Sequence, residues 1–366
     1  MAAIIESGST VIDPETGLYT RSSSIERSAL QQTLTDLYTK GIDPGLASTY
    51  KCLTYPSGMS SIHSTVHCVG VKNPGSIFVI GNELFPLTPK AFDLVCSYTL
   101  CRTIKVHVLD NQTIIDTFRE HGNLITLFFI ESCSNPSGFL FDWSLIPQLR
   151  VFSPQCLICV DNTWLSPVLF NPFHHGVDIV VDSLTKYFSG SKRIGGSAVT
   201  SHPIFKDLDA YSKVTGLNYC SSTCKAVAIN LPSLEARMIR VSTVMEQILA
   251  FLRTQPKVTR IHHPGARPEL NSLNAGVVCF HVGTKRRKRV PLLIRKFLTK
   301  PSFRFETSYG APYSKIDSHL KYGLSNDRDY IKKADAVEGI WPRLAVGYES
   351  DPAVIIETLG AIIHAV

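Results

Sequence analysis

Between about Leu46 and Pro203, short apolar runs rich in β-branched residues alternate with longer mixed segments. The runs are Ser76–Ile80, Lys105–Leu109, Leu124–Ile130, Leu157–Val160, Ile179–Asp182 and Ser197–Thr200. The segments between them are long enough for helices, so the pattern predicts an α/β domain around a mainly parallel sheet. Right-handed crossovers would line up the strand C-termini along one edge, where such sheets bind ligands. Ahead of this region, Ile25, Leu30, Leu34 and Leu37 recur with helical spacing and predict a helix from Ile25 to Tyr38. A long helix is predicted over Leu231–Thr254, opened by Pro232 and closed before Pro256. From Ala275 onward, strand-like runs (Gly276–Val282, Arg343–Val346) mix with helical ones (Val290–Thr299, Pro352–His364), which predicts a smaller α+β domain. The expected organisation is a short N-terminal arm and first helix over residues 1–45, an α/β domain over 46–230, and a linker helix with a C-terminal α+β domain over 231–366.

Composition narrows the function classes. The 366 residues are 44% hydrophobic and 18% charged, which suits a packed soluble protein of two or three domains. No stretch offers the ~20 apolar residues of a membrane span. Met1–Thr10 lacks a basic segment followed by an apolar one, so no secretory signal is expected and the cytoplasm is the predicted compartment. The net charge of +7 is mild. One dense basic run, Lys285–Arg289, has no interleaved aromatic residues and reads as a solvated loop rather than a nucleic-acid surface. Neither a nucleic acid nor a membrane is therefore an expected partner. Among the ten cysteines, Cys156 and Cys159 form a C-x-x-C. Leu157, Ile158 and Val160 make that stretch a buried strand, so reduced core thiols are expected and no metal site.

The chemistry gathers between Val160 and Val199. One strand ends on Asp161, and about 20 residues later another leads into Ser183-Leu184-Thr185-Lys186. A lysine and an aspartate at the ends of two strands of one sheet are what pyridoxal 5'-phosphate (PLP) chemistry needs. The amine holds the cofactor as a Schiff base and moves protons, and the carboxylate keeps the pyridine nitrogen protonated. The hydroxyls of Ser183 and Thr185 can reach a phosphate. On this stretch alone a plainer reading stays open: a surface lysine after a strand and an aspartate capping a helix.

Val160-Asp161-Asn162-Thr163-Trp164-Leu165-Ser166-Pro167 resembles the V-D-N-T-F-x-S-P of the Cys/Met-metabolism PLP enzymes. Asp182-Ser183-Leu184-Thr185-Lys186-Tyr187 resembles their H-S-x-T-K-Y, and Ile194-Gly195-Gly196 follows in register. The family includes cystathionine γ-synthase, cystathionine β- and γ-lyases and methionine γ-lyase. The resemblance implies the PLP fold-type I (aspartate aminotransferase-like) architecture, PLP as cofactor on Lys186, and a small amino acid as substrate. It continues in order along the chain. Ser57-Gly58-Met59-Ser60 resembles the phosphate-binding S-S-G-M-A, where a helix N-terminus meets an anion. Tyr19-Thr20-Arg21, with Arg27 beyond, resembles the Y-S-R-x-x-N-P-T-R whose Tyr and Arg reach the neighbouring subunit's phosphate, although Ser23-Ser24-Ile25 replaces the N-P-T core. Glu131 to Pro136 resembles E-x-P-x-N-P, which gives Asn135 a bond to the PLP phenolic oxygen and to the substrate carboxylate region. Thr307-Ser308-Tyr309-Gly310 and Arg343-Leu344-Ala345-Val346-Gly347 resemble the segments whose Ser and Arg hold that carboxylate.

Two departures bear on activity. Phe85 stands where the family stacks a tyrosine on PLP; its ring can stack but cannot relay a proton. Thr307 stands where synthases and γ-lyases often carry a Glu for a distal ammonium, while aromatic Tyr309 is closer to the β-lyase pattern. The first reading is a carbon–sulfur lyase acting on cystathionine, cysteine-like or methionine-like amino acids. The alternatives are a γ-replacement transferase of the cystathionine γ-synthase kind, in primary or secondary metabolism, and a weakly active PLP-binding protein. Members of the family carry a few tens of residues before the Tyr-x-Arg that clamp dimers into a tetramer; with the shorter segment before Tyr19 the resemblance implies a homodimer, with a homotetramer as the alternative.

Overall fold

Strands that are apolar along their whole length need cover on both faces, and the chain supplies it with helices between them. Its computed structural model describes residues 19, 24–285, 290–318 and 339–365. Helix α1 (Ile25–Thr39) starts where the Ser24 side chain accepts the Arg27 N–H. It is followed by α2 (Pro44–Ala47), β1 (Lys51–Tyr55), α3 (Gly58–Lys72), β2 (Ile77–Gly81), α4 (Thr88–Thr99) and β3 (Arg102–Val106). Next come α5 (Asn111–His121), β4 (Ile125–Glu131), α6 (Ile146–Phe152), β5 (Leu157–Asp161), α7 (Ser166–Leu169), β6 (Ile179–Asp182) and β7 (Gly196–Thr200). Helices α8 (Phe205–Thr215), α9 (Ser221–Ala228) and α10 (Leu234–Arg253) lead to β8 (Val258–His262), β9 (Val277–Gly283) and α11 (Val290–Phe297). The last elements are β10 (Phe303–Phe305), β11 (Ser314–Ser318), β12 (Gly339–Ile340), β13 (Pro342–Ala345) and α12 (Pro352–Ala365).

The first sheet has seven strands in the order β1-β7-β6-β5-β4-β2-β3. From β3 to β6 every neighbouring pair is parallel. Alternate residues feed two cores: Ile77, Val79, Ile158 and Val160 face one, and Phe78, Ile80, Leu157 and Cys159 the other. Cys156 belongs to the first core and Cys159 to the second, so the C-x-x-C pair is split by the sheet. Burial pushes both thiols upward from their ordinary pKa, which keeps them protonated. Among the described residues the second sheet has six strands and pairs mostly antiparallel. Helices α10 and α12 cover it through Val241, Met245, Ile248 and Leu359 against Val278, Phe280 and Leu344.

The mainly parallel α/β sheet and the smaller α+β region are present as the sequence pattern predicts, with four differences. Strand β7 runs antiparallel to both β6 and β1. The segment from Ser183 to Gly195 holds no helix that could carry a parallel crossover, and the chain doubles back. Strand β3 lies three residues earlier than Lys105–Leu109. As an edge strand it buries only Val106, so its apolar pattern is a weak guide. Strand β1, whose short run abuts Pro56, escapes the pattern altogether. The long helix begins at Leu234, because Leu231–Ser233 forms a 3-10 turn around Pro232. Of the basic run, Lys285 is exposed and residues 286–289 lie outside the described residues.

Candidate active site

Parallel neighbours end together, and three of them end on carboxylates. Glu131, Asp161 and Asp182 are the last residues of β4, β5 and β6, and Glu131 pairs with Asp161 across the ladder. At this edge lies a cavity of about 350 Å³. Ser57, Gly58, Met59, Phe85, Asn135, Asp161, Ser183, Thr185, Lys186, Ser308 and Arg343 all line it. Tyr19 is half-exposed and not among the lining residues, and Arg21 lies outside the described residues.

At one end of the cavity stands the start of α3. Ser57 is its N-cap, with Oγ accepting the Ser60 N–H at 3.1 Å. The first backbone N–H groups of a helix have no acceptor within it, and the helix dipole favours an anion there. The helix comes this close to the Lys186 segment because Gly58 has no side chain. A Cβ at that position would lie 2.9 Å from the Ser183 Cβ. Thr163 Oγ1 accepts the Ser183 N–H at 2.7 Å, and Thr185 Oγ1 accepts the Gly195 N–H at 3.2 Å.

Lys186 sits in the turn after β6. Its Nζ donates to Ser308 Oγ at 2.6 Å and lies 5.3 Å from the centre of the Tyr309 ring. Burial, with the charges of Arg343 and Lys315, lowers its amine to about 8, against a smaller pull from Asp161 in the opposite direction. An amine of that kind is partly neutral, and so nucleophilic, near neutral pH. Asp161 is buried and accepts the Thr163 N–H at 2.9 Å. Burial raises its carboxyl, while the Thr163 bonds and the Lys186 charge hold it down.

At the other end, the second sheet supplies Arg343 from β13. This buried guanidinium donates through Nη1 to Asn135 Oδ1 at 3.0 Å and through Nη2 to Thr307 Oγ1 at 3.1 Å. A planar fork held at both nitrogens suits a carboxylate. Ser308 reaches Lys186 from a left-handed backbone, with φ +81. Gly310 packs so closely that a Cβ there would lie 2.5 Å from the Lys186 carbonyl carbon. The loop carrying Asn135 is held by Glu83, which accepts Ser134 Oγ at 3.1 Å and Ser137 Oγ at 2.9 Å. Glu131 accepts the backbone N–H of Phe85, and burial pushes its carboxyl well above the ordinary range.

Sequence reasoning did not single out Thr163 or Trp164, and it valued Glu131 only as part of a motif. All three line the cavity. Thr163 and Trp164 directly follow Asp161, which was the available signal.

The residues fit PLP on their own chemistry. A lysine with a lowered pKa, a buried carboxylate, a helix start that only glycine lets come close, and a fixed guanidinium share one cavity. The comparisons point the same way. Residues 7–353 match the family described as Cys/Met metabolism PLP-dependent enzyme. Cystathionine β-lyase MetC of Bacillus subtilis is 26% identical over 249 residues, 68% of this chain and 60% of that one. Cystathionine γ-synthase of Escherichia coli is 28% identical over 254 residues, 69% of this chain and 62% of that one. Chloroplastic mimosinase of Mimosa pudica is 32% identical over 263 residues, 65% of this chain and 57% of that one. The chain thus spans 57% to 62% of the length of these relatives. A solved cystathionine γ-lyase from Micromonospora echinospora shares the fold with a TM-score of 0.81 at 22% identity, covering 96% of this chain and 90% of that one.

Proposed function

Since the chain belongs to the Cys/Met-metabolism PLP-dependent enzymes, we propose that it is a carbon–sulfur lyase that eliminates a thiol from a sulfur amino acid. The observation that carries this reading is the convergence of Lys186, Asp161, the α3 start and Arg343 on one cavity. When bound, PLP supplies an electron sink for the charge released at the substrate α-carbon. The α3 start, with Ser183 and Thr185, would hold the phosphate. Asp161 would hold the ring nitrogen in its protonated form, and Asn135 would bond the phenolic oxygen. Arg343, with Ser308 and Asn135, binds the substrate carboxylate and so fixes which face of the α-carbon meets Lys186. The Lys186 amine takes the α-proton; its pKa of about 8 suits both accepting and returning it. A thiolate then leaves from Cβ or Cγ, and the released enamine hydrolyses to a 2-oxo acid and ammonia.

A γ-replacement transferase is the second reading, favoured by the 28% identity to the E. coli cystathionine γ-synthase. A product screen separates the two. L-cystathionine, L-cysteine, L-methionine and an O-acyl-homoserine are offered with and without a thiol, and oxo acid, ammonia and new amino acids are measured together. The lyase reading predicts oxo acid and ammonia from a sulfur amino acid alone. A new thioether amino acid from the acyl-homoserine and thiol, with no oxo acid from any substrate, would replace it.

The assembly belongs to the same proposal: a homodimer in which Tyr19 and Arg21 complete the neighbour's phosphate site. So does the division at residue 230, which the two separate sheets support; a boundary at 45 would instead cut α2, and Leu30, Leu34 and Tyr38 of α1 pack into the first sheet's core. Buried thiols such as Cys52, Cys133 and Cys159 support a reducing compartment such as the cytoplasm.

A further inference from the structure

The segment from Ser183 to Gly195 carries Lys186 but has no helix or strand of its own. Turn bonds such as Ser189 N–H to the Leu184 carbonyl at 3.0 Å and Ser191 N–H to the Lys186 carbonyl at 2.9 Å shape it internally, while its placement at the cavity depends on contacts from outside. Helix α1 reaches both of its ends.

Near the C-terminus of α1, the fully buried Tyr38 hydroxyl donates to Asp182, with its oxygen 2.8 and 2.9 Å from the two carboxylate oxygens. Asp182 directly precedes Ser183. Ser197 Oγ adds a longer bond of 3.4 Å to the same carboxylate. Asn162 Nδ2, one residue after Asp161, donates to the Tyr38 hydroxyl at 3.2 Å. Near the N-terminus of α1, Arg27 Nε donates to the Tyr219 carbonyl at 2.9 Å. The Tyr219 hydroxyl donates in turn to the Ile194 carbonyl at 2.5 Å. Its ring leaves no room at Gly195, where any Cβ would overlap the hydroxyl oxygen. Gly195 bonds Thr185, and Gly196 backs the α3 start so closely that a Cβ there would overlap the Ser57 carbonyl oxygen.

We propose that Tyr38 and Tyr219 are positioning residues that brace helix α1 against both ends of the Lys186 segment, and so set Ser183, Thr185 and Ser57 toward the cofactor phosphate. The inference rests on the reading that this segment holds PLP. The physical reason is the turn segment's lack of ladder bonds. Arg237 holds its middle through the Tyr187 and Phe188 carbonyls, and two hydroxyls, one on a strand-end carboxylate and one on a backbone carbonyl, hold its two ends. A buried carboxylate stays in place only with donors around it, and without Tyr38 Asp182 keeps one long bond from Ser197.

The test compares wild type, Tyr38→Phe, Tyr219→Phe and the double variant. Each is purified as holoprotein, stripped of cofactor and titrated with PLP. The melting temperature of the stripped form and the visible spectrum of the reconstituted form are recorded alongside. Each single substitution is expected to weaken PLP affinity about 3- to 10-fold, the size of one buried hydrogen bond, and to alter the bound-cofactor spectrum. Asp182→Asn, which keeps an acceptor for Tyr38, should stay nearer wild type than Asp182→Ala. Should Tyr38→Phe fail to fold, Tyr219→Phe decides. Unchanged affinity and spectrum with only a lower melting temperature would reduce both tyrosines to packing and overturn the proposal. A wild-type protein that takes up no PLP would instead remove the functional reading, and the bracing with it.

Discussion

At the scale of single residues, Lys186 and Phe85 make the sharpest demands. Lys186 is held at about 8 by burial and by the neighbouring Arg343 and Lys315 charges. The neutral amine is the form that attacks the cofactor aldehyde. Attachment of PLP to the stripped protein should therefore speed up as pH rises and reach half its limit near pH 8. Stopped-flow absorbance from pH 6 upward reads this. A rate still climbing at about pH 10, as for an ordinary lysine, would contradict the lowered value. Phe85 lines the cavity, yet its side chain offers no proton. Elimination of a good leaving group needs little protonation and should be unaffected by that lack, whereas a poor leaving group should suffer. Phe85→Tyr should then raise turnover on poor leaving groups more than on good ones. An equal effect on both would show that a proton relay is not what the missing hydroxyl costs. Most of this layer was legible in the sequence because each residue sits in an ordered motif. The Tyr38–Asp182 pair was not. Its members are 144 positions apart, and Asp182 occupies the family's histidine position without revealing its partner.

At the scale of elements, the apolar runs gave β2, β4, β5 and β6 within a residue or so, because strands buried on both faces are apolar throughout. The pattern was weaker for β3, which buries only Val106, and it carried no information on the direction of β7. Direction follows from the helix-free turn after Asp182, a property of the connection and not of the strand. The α3 start shows how one residue serves an element. Gly58 lets the helix lie against Ser183, and a Cβ there would be 2.9 Å from the Ser183 Cβ. Gly58→Ala should push the helix start off the Lys186 segment, lower stability by about 1–3 kcal/mol, the usual cost of overpacking, and weaken PLP binding. Titration of the stripped variant with PLP checks this, and wild-type affinity would show that the contact yields without disturbing the phosphate end.

At the scale of the whole molecule, the site joins two sheets. Arg343 comes from the second and bonds Asn135 beside the first. This convergence was legible only through the order of the motifs, because Asn135 and Arg343 lie 208 residues apart. The proposed dimer adds a further reach, from Tyr19 and Arg21 to the neighbour. Arg21→Ala should weaken PLP binding by about 2 kcal/mol if the guanidinium meets the phosphate. Mixing and refolding it with Lys186→Ala should recover activity, since one site of each mixed dimer then has both residues intact. No recovery would place Arg21 in its own subunit's site or away from the phosphate. The most direct test of the central claim is reduction of the purified holoprotein with borohydride, followed by peptide mapping. The account predicts a yellow protein that becomes labelled on the peptide containing Lys186 and on no other, with Lys186→Ala taking no label. Label on a different lysine, or none on the wild-type protein, would contradict it.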